Sequence, residues 1–91
     1  MTVTLEEMKQ YLRVDFDDDD TIITALIAGA EQLCMDILRT ESTESLYQVE
    51  NGKVAVMYAV AYFYENREKA DHHALTLTLR SLLFGSRKEM F

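Results

Sequence analysis

The chain has 91 residues, of which 16 are acidic and nine are basic, so its formal net charge is -7. Hydrophobic residues make up 48% of it, too large a share for an intrinsically disordered segment. The acidic excess disfavours a general nucleic-acid binder, because such proteins need basic patches that neutralise phosphates. The single cysteine, Cys34, excludes an internal disulfide, and the uninterrupted apolar runs are too short to predict a membrane span. We expect one domain without a signal peptide, made in the cytoplasm.

The first predicted helix covers residues 5–12. Thr4 and Glu7 have the spacing of a capping box, in which each side chain binds the other residue's backbone amide. Leu5, Met8 and Leu12 then follow one face at helical spacing. This helix is expected to pack that apolar stripe against the rest of the domain.

A run of four aspartates precedes the second predicted helix, over residues 20–39: Asp17, Asp18, Asp19 and Asp20. Aspartate favours a helix N-terminus, where it binds amide donors and meets the positive end of the dipole. A calcium loop would need glycine at the sixth position and glutamate at the twelfth, and these are Ile22 and Ala28. The run therefore predicts a solvated helix start.

A polar linker is predicted for residues 40–45, and Asn51-Gly52 is interpreted as the entry to a third helix over residues 53–69. This third helix is apolar on nearly every side. Such a helix is typically central in its domain or shares a face with another chain. Its main apolar face comprises Val54, Met57, Tyr58, Ala61 and Tyr62, with Val56, Val60 and Phe63 on other sides.

Residues 70–74 are predicted to form a loop and residues 75–84 a last helix, with Gly85 as its C-terminal cap. The leucines at 75, 77 and 79 alternate like a strand, but Leu75, Leu79, Leu82 and Leu83 also fit a helical stripe. No partner strand is evident, so a helix is favoured. The predicted fold class is all-α, a small bundle of about four helices with irregular connecting loops.

No catalytic or metal-binding motif stands out. His72 and His73 are adjacent, and neighbouring residues rarely converge on one ion, so a polar loop is the better interpretation. Cys34 lies on an apolar stripe, as a small buried hydrophobe would. With no phosphate-binding glycine loop and no nucleophile motif, we predict neither an enzyme nor a cofactor.

The end of the third helix is a candidate interface, because aromatic residues there adjoin a dense polar cluster. Charge is also uneven along the chain: residues 1–20 hold seven acids and two bases, whereas residues 72–91 hold three bases and one acid. The two ends are therefore expected to attract each other, within one chain or between neighbouring chains. The candidate interface residues are Tyr58, Tyr62, Tyr64, Glu65, Asn66, Arg67 and Arg87.

Three ordered segments resemble the phage head–tail connector family. The first is Thr4-Leu5-Glu6-Glu7 with Tyr11-Leu12-Arg13-Val14-Asp15, Asp18-Asp19-Asp20, Leu26-Ile27 and Ala30. The second runs from Ala55-Val56 to Tyr64-Glu65-Asn66-Arg67-Glu68, an alanine-rich helix with a polar end. The third is Leu82-Leu83 followed by Arg87.

The resemblance implies a structural adaptor of a tailed phage or prophage, with no catalytic residues. Such adaptors assemble in the bacterial cytoplasm as a ring between the portal and a tail-side completion protein, at the head–tail junction of the virion. The ring extends the channel through which DNA passes without specific binding, and the acids at 17–20 are candidates to line it. The alternative function is a small acidic interaction or regulatory module. That alternative predicts a defined dimer or heterodimer.

Overall fold

The computed structural model describes residues 2–66 and 71–84, and in these segments it contains five α-helices and no strand. The helices are α1 (Leu5–Leu12), α2 (Asp20–Leu38), α3 (Thr43–Gln48), α4 (Gly52–Glu65) and α5 (His72–Phe84). The predicted all-α bundle is confirmed, with one short helix more than expected.

The capping box of α1 forms as its spacing predicts. The Thr4 hydroxyl accepts from the Glu7 amide at 3.1 Å, and the Thr4 amide donates to Glu7 Oε1 at 3.0 Å. Met8 buries its side chain completely. The helix ends at Leu12, and its C-cap Arg13 has a left-handed backbone (φ 62°) that turns the chain toward α2.

The longest helix, α2, packs against each of the other four. Its buried face supplies Ile23, Ile27, Ala30, Cys34 and Met35 to the core. By length and composition alone α2 also qualifies as a membrane span, contrary to the expectation from the apolar runs, but core helices of globular proteins meet the same test. Here it is the element around which the bundle is built.

Part of the predicted linker over residues 40–45 is wrong, because α3 begins within it at Thr43. The Ser42 hydroxyl caps this helix by accepting from the Ser45 amide at 3.3 Å. Leu46 is fully buried and anchors the six-residue helix to the core. A helix this short is not stable by itself, so its tertiary contact holds it in place.

The entry to α4 at Asn51-Gly52 is confirmed, with Asn51 as the N-cap. Small and β-branched residues then bury the face that packs on α2: Ala55, Val56, Ala59 and Val60 are fully buried. The face chosen from the sequence is the more exposed one, since Val54 is 52% exposed. The helix ends at Glu65 with Asn66 as its C-cap, so the predicted continuation fails at Asn66, and residues 67–70 lie outside the described segments.

The predicted loop over residues 70–74 is wrong from His72 onward, where α5 begins. Asp71 Oδ1 accepts from the Ala74 amide at 3.1 Å, which satisfies one free donor of the first turn. Leu75, Leu79 and Leu83 are buried, whereas Leu77 is 54% exposed, so the helical pattern prevails over the alternating one. The predicted cap at Gly85 lies outside the described residues.

Candidate functional site

The aspartate run is tied to α1 through Lys9. The ammonium group of Lys9 lies 2.7 Å from Asp17 Oδ1 and 2.8 Å from Asp20 Oδ1. The Lys9 side chain is 16% exposed and that of Asp17 86%. The hydrogen bond and charge of Lys9 lower the pKa of Asp17, and the two carboxylates raise the pKa of Lys9. The cluster fixes the turn between α1 and α2.

A second contact ties the same turn to α4. The Tyr64 hydroxyl donates to Asp19 Oδ2 at 2.6 Å. Asp19 is also the N-cap residue of α2, which begins at Asp20 as predicted, although its side chain makes no capping hydrogen bond. Asp18 lies exposed in the turn. Three of the four aspartates therefore take part in contacts within the chain.

Part of the predicted interface cluster forms one groove between α1 and α4. This open groove has a volume of about 340 Å³. Tyr58 and Tyr62 are half-buried, whereas Tyr11, contributed by α1, is 55% exposed. The hydroxyl of Tyr62 accepts from the Asp71 amide at 2.7 Å, which joins α4 to the start of α5. The groove is lined by Tyr11, Tyr58, Ala61, Tyr62 and Glu65.

The remaining predicted interface residues lie elsewhere. Tyr64 contacts the start of α2, on another side of α4. The Asn66 side chain donates through Nδ2 to the Tyr62 carbonyl at 2.9 Å and so closes the last turn of the helix. Arg67 and Arg87 lie outside the described residues. Within the described part of the chain, the structure thus brings together Tyr58, Tyr62 and Glu65.

A salt bridge joins α1 to α4 near the N-terminal end of each helix. Lys53 Nζ lies 2.5 Å from Glu7 Oε2, and the same carboxylate accepts from the capping-box residue Thr4. These hydrogen bonds, led by that of Lys53, lower the pKa of Glu7 below its ordinary value of 4.5. This pair joins the two helices that form the walls of the groove.

The sequence did not single out Tyr11, Ala61 or Lys9 as site residues. Tyr11 extends an apolar stripe, and its approach to α4 is a tertiary contact that no local spacing announces. Lys9 had a detectable signal, since a cation in the last turn of a helix lies a short loop away from four acids. Pairing between those neighbours is the ordinary expectation of charge patterning.

The residues considered for nucleophilic catalysis or metal binding are one cysteine and two adjacent histidines. Cys34 is fully buried, and its burial raises the thiol pKa to about 12, so the reactive thiolate does not form near neutral pH. His72 and His73 are exposed in the first turn of α5, with the His72 ring 5.5 Å from that of Phe63. Within residues 2–66 and 71–84, no group of three histidines, cysteines or acids is placed to hold a metal ion.

Comparison with known proteins gives one match. A family model described as "Phage gp6-like head-tail connector protein" matches residues 2–90. No curated protein and no solved structure matches the chain. The match spans all three segments in which the sequence resembles that family, so the resemblance is confirmed.

Proposed function

The chain belongs to the phage gp6-like head–tail connector family, and we propose that it forms a ring between the portal and the tail that extends the DNA channel. The family is one of structural connectors and not of enzymes, and it locates the protein at the head–tail junction of the phage particle, in contact with other head and tail proteins. The observation that carries the proposal is the family match over residues 2–90. Assembly in the bacterial cytoplasm is part of the same proposal.

Exposed features of α4 support association between copies. A ring needs two different surfaces on each copy, because its contacts are head to tail. On α4, Val54 is 52% exposed, and the groove beside Tyr58 and Tyr62 is open to solvent. We propose that the interface includes this face of α4 and the C-terminal end of the helix, with Tyr64, Glu65, Asn66, Arg67 and Arg87 as further candidate residues.

The aspartate run supports a channel that does not retain DNA. Asp17 and Asp18 are exposed in the turn that precedes α2, and Asp19 and Asp20 add negative charge behind them. Acidic side chains on a channel wall repel phosphates, so the duplex passes without specific binding. A ring structure with residues 17–20 on its outer rim would rule out this part of the proposal.

The ring is tested by mixing the purified full chain with its portal protein and examining the mixture by electron microscopy and analytical ultracentrifugation. We expect a ring seated on the portal. A strict monomer in the presence of the portal would refute the adaptor proposal. A defined dimer or heterodimer would instead favour a small interaction or regulatory module.

A further inference from the structure

The groove between α1 and α4 is lined mainly by polar surface from tyrosine and glutamate side chains, with one small apolar residue, Ala61, among them. Tyr58 and Tyr62 stand one turn apart, and Ala61, the smallest lining residue, leaves space beside them. Glu65 is exposed and lies about 6 Å further along the helix axis from Ala61. Among the described residues that line the groove, Glu65 alone is charged. The groove therefore presents a hole and, one turn further on, a carboxylate.

The outer face of α5 carries the opposite chemistry. It is the side away from the buried leucines, and it is formed by five exposed residues at helical spacing: His73, Ala74, Leu77, Arg80 and Ser81. Leu77 is 54% exposed, although leucine is usually buried. Arg80 lies about 4.5 Å further along the axis. This face, which contains no acid, therefore presents an apolar knob and, one turn further on, a cation.

We propose that the outer face of α5 in one copy docks in the α1–α4 groove of the next copy, with Leu77 beside Ala61 and Arg80 paired with Glu65. The inference rests on the proposed ring and names the two surfaces that form its repeated contact. The knob-to-cation spacing of about 4.5 Å and the hole-to-carboxylate spacing of about 6 Å run in the same direction when the two helices are parallel, and the long arginine side chain spans the difference of about 1.5 Å. An arginine at this position also lies beside tyrosine rings, which attract a guanidinium group.

The groove of one copy and the outer face of α5 in a second copy complement each other, whereas neither surface complements a second copy of itself. Pairing two grooves offers Glu65 no cation among the described lining residues, and pairing two α5 faces offers Arg80 no acid, so neither self-pairing supplies an opposite charge. Within one chain, Leu77 points away from the core against which α5 packs, so it cannot enter its own groove. The complementary contact is therefore head to tail, which is the arrangement that closes into rings.

The test reverses each charge separately and then together, in the full chain. Glu65→Arg and Arg80→Glu should each weaken self-association at least about tenfold, because each places like charges at the contact. The two variants mixed in equal amounts should assemble again, since alternating copies restore an opposite pair at every contact. The Glu65→Arg/Arg80→Glu double variant should also assemble. Sedimentation velocity measures the assembly state of concentrated protein, alone and with the portal.

A matched control is Glu41→Arg, which reverses an exposed charge just beyond the C-terminal end of α2, away from the groove. The Glu41→Arg variant should assemble like the wild type. All variants should melt at the wild-type temperature, because the substituted side chains are exposed. Rings formed equally well by both single variants would overturn this interface and leave the adaptor function standing. Failure of both the mixture and the double variant to recover would overturn it too. A wild type that never forms a higher oligomer, even with the portal, would refute both proposals.

Discussion

Replacement of Gly52 by alanine should destabilise the fold, although alanine normally favours a helix. A Cβ atom at this position would lie 2.1 Å from the carbonyl oxygen of Leu46 and 3.1 Å from its carbonyl carbon. Both atoms belong to the backbone of α3, so no side-chain rotation relieves the overlap. Relief requires α3 and α4 to separate, and Leu46, which is fully buried, would then lose part of its packing.

The expected size of this effect follows from overpacking in well-packed cores, which costs about 1–3 kcal/mol. For a domain of this size, each 1 kcal/mol lowers the melting temperature by about 4–8 °C. The Gly52→Ala variant should therefore melt roughly 5–20 °C below the wild type. Thermal unfolding followed by circular dichroism measures the difference directly.

Gly29 provides the matched control, because it lies in the exposed face of α2 and a Cβ there meets no atom within 4 Å. Gly29→Ala should raise stability by about 0.5–1 kcal/mol, the usual gain inside a helix. The two identical substitutions should thus shift the melting temperature in opposite directions. If Gly52→Ala melts at or above the wild-type temperature, the close α3–α4 junction described above is incorrect.

Three further substitutions test other contacts. Leu46→Ala should lower the free energy of unfolding by about 2–5 kcal/mol, measured in urea, because it opens a cavity beneath α3. Lys53→Met should lower the melting temperature at neutral pH. That deficit should vanish as the pH falls through the lowered pKa of Glu7, since only the ionised carboxylate gains from the pair; a pH-independent deficit would argue against this. Tyr64→Phe should cost about 1–2 kcal/mol in denaturant unfolding through the lost bond to Asp19, and an unchanged midpoint would discount that bond.

The sequence predicted best those elements whose boundaries are set by local chemistry. For α1, the capping residues Thr4 and Glu7 lie within one turn of the groups they satisfy, and both predicted ends are confirmed. The start of α2 followed from the aspartate run for a similar local reason, although Asp19 binds Tyr64 and makes no side-chain cap. In both helices, short-range signals and tertiary packing favour the same structure.

Elements that depend on distant contacts were missed. Apart from Ser42, a residue type that favours an N-cap, the polar stretch has no apolar repeat that predicts α3, because its single buried side chain, Leu46, gains its stability from the core. The start of α5 depends on the Tyr62 hydroxyl, which accepts from the Asp71 amide nine residues away. Asp71 is of a residue type that favours an N-cap, but the polar run that contains it and the two histidines was interpreted as a loop.

The candidate site was predicted only in part, because neighbours in sequence separate on a helix. Tyr62 and Tyr64 are two residues apart and face different sides of α4, whereas Tyr58, Tyr62 and Glu65 follow one side at steps of four and three. Tyr11 completes the groove from a different helix. The spacing rule alone would have selected the three α4 residues correctly, whereas the fourth needed the fold.

The contacts of the acidic turn constrain how a ring can be arranged. Lys9 neutralises one of the four aspartate charges locally, and salt screens the rest beyond about 8–10 Å. The turn can therefore repel DNA only if it lies within about that distance of the duplex, at the inner wall of the ring. Because Tyr64 binds Asp19, this turn lies at the same end of α4 as Glu65 but on another side. A ring that satisfies both proposals must accordingly place the contact between Arg80 and Glu65 next to its inner wall.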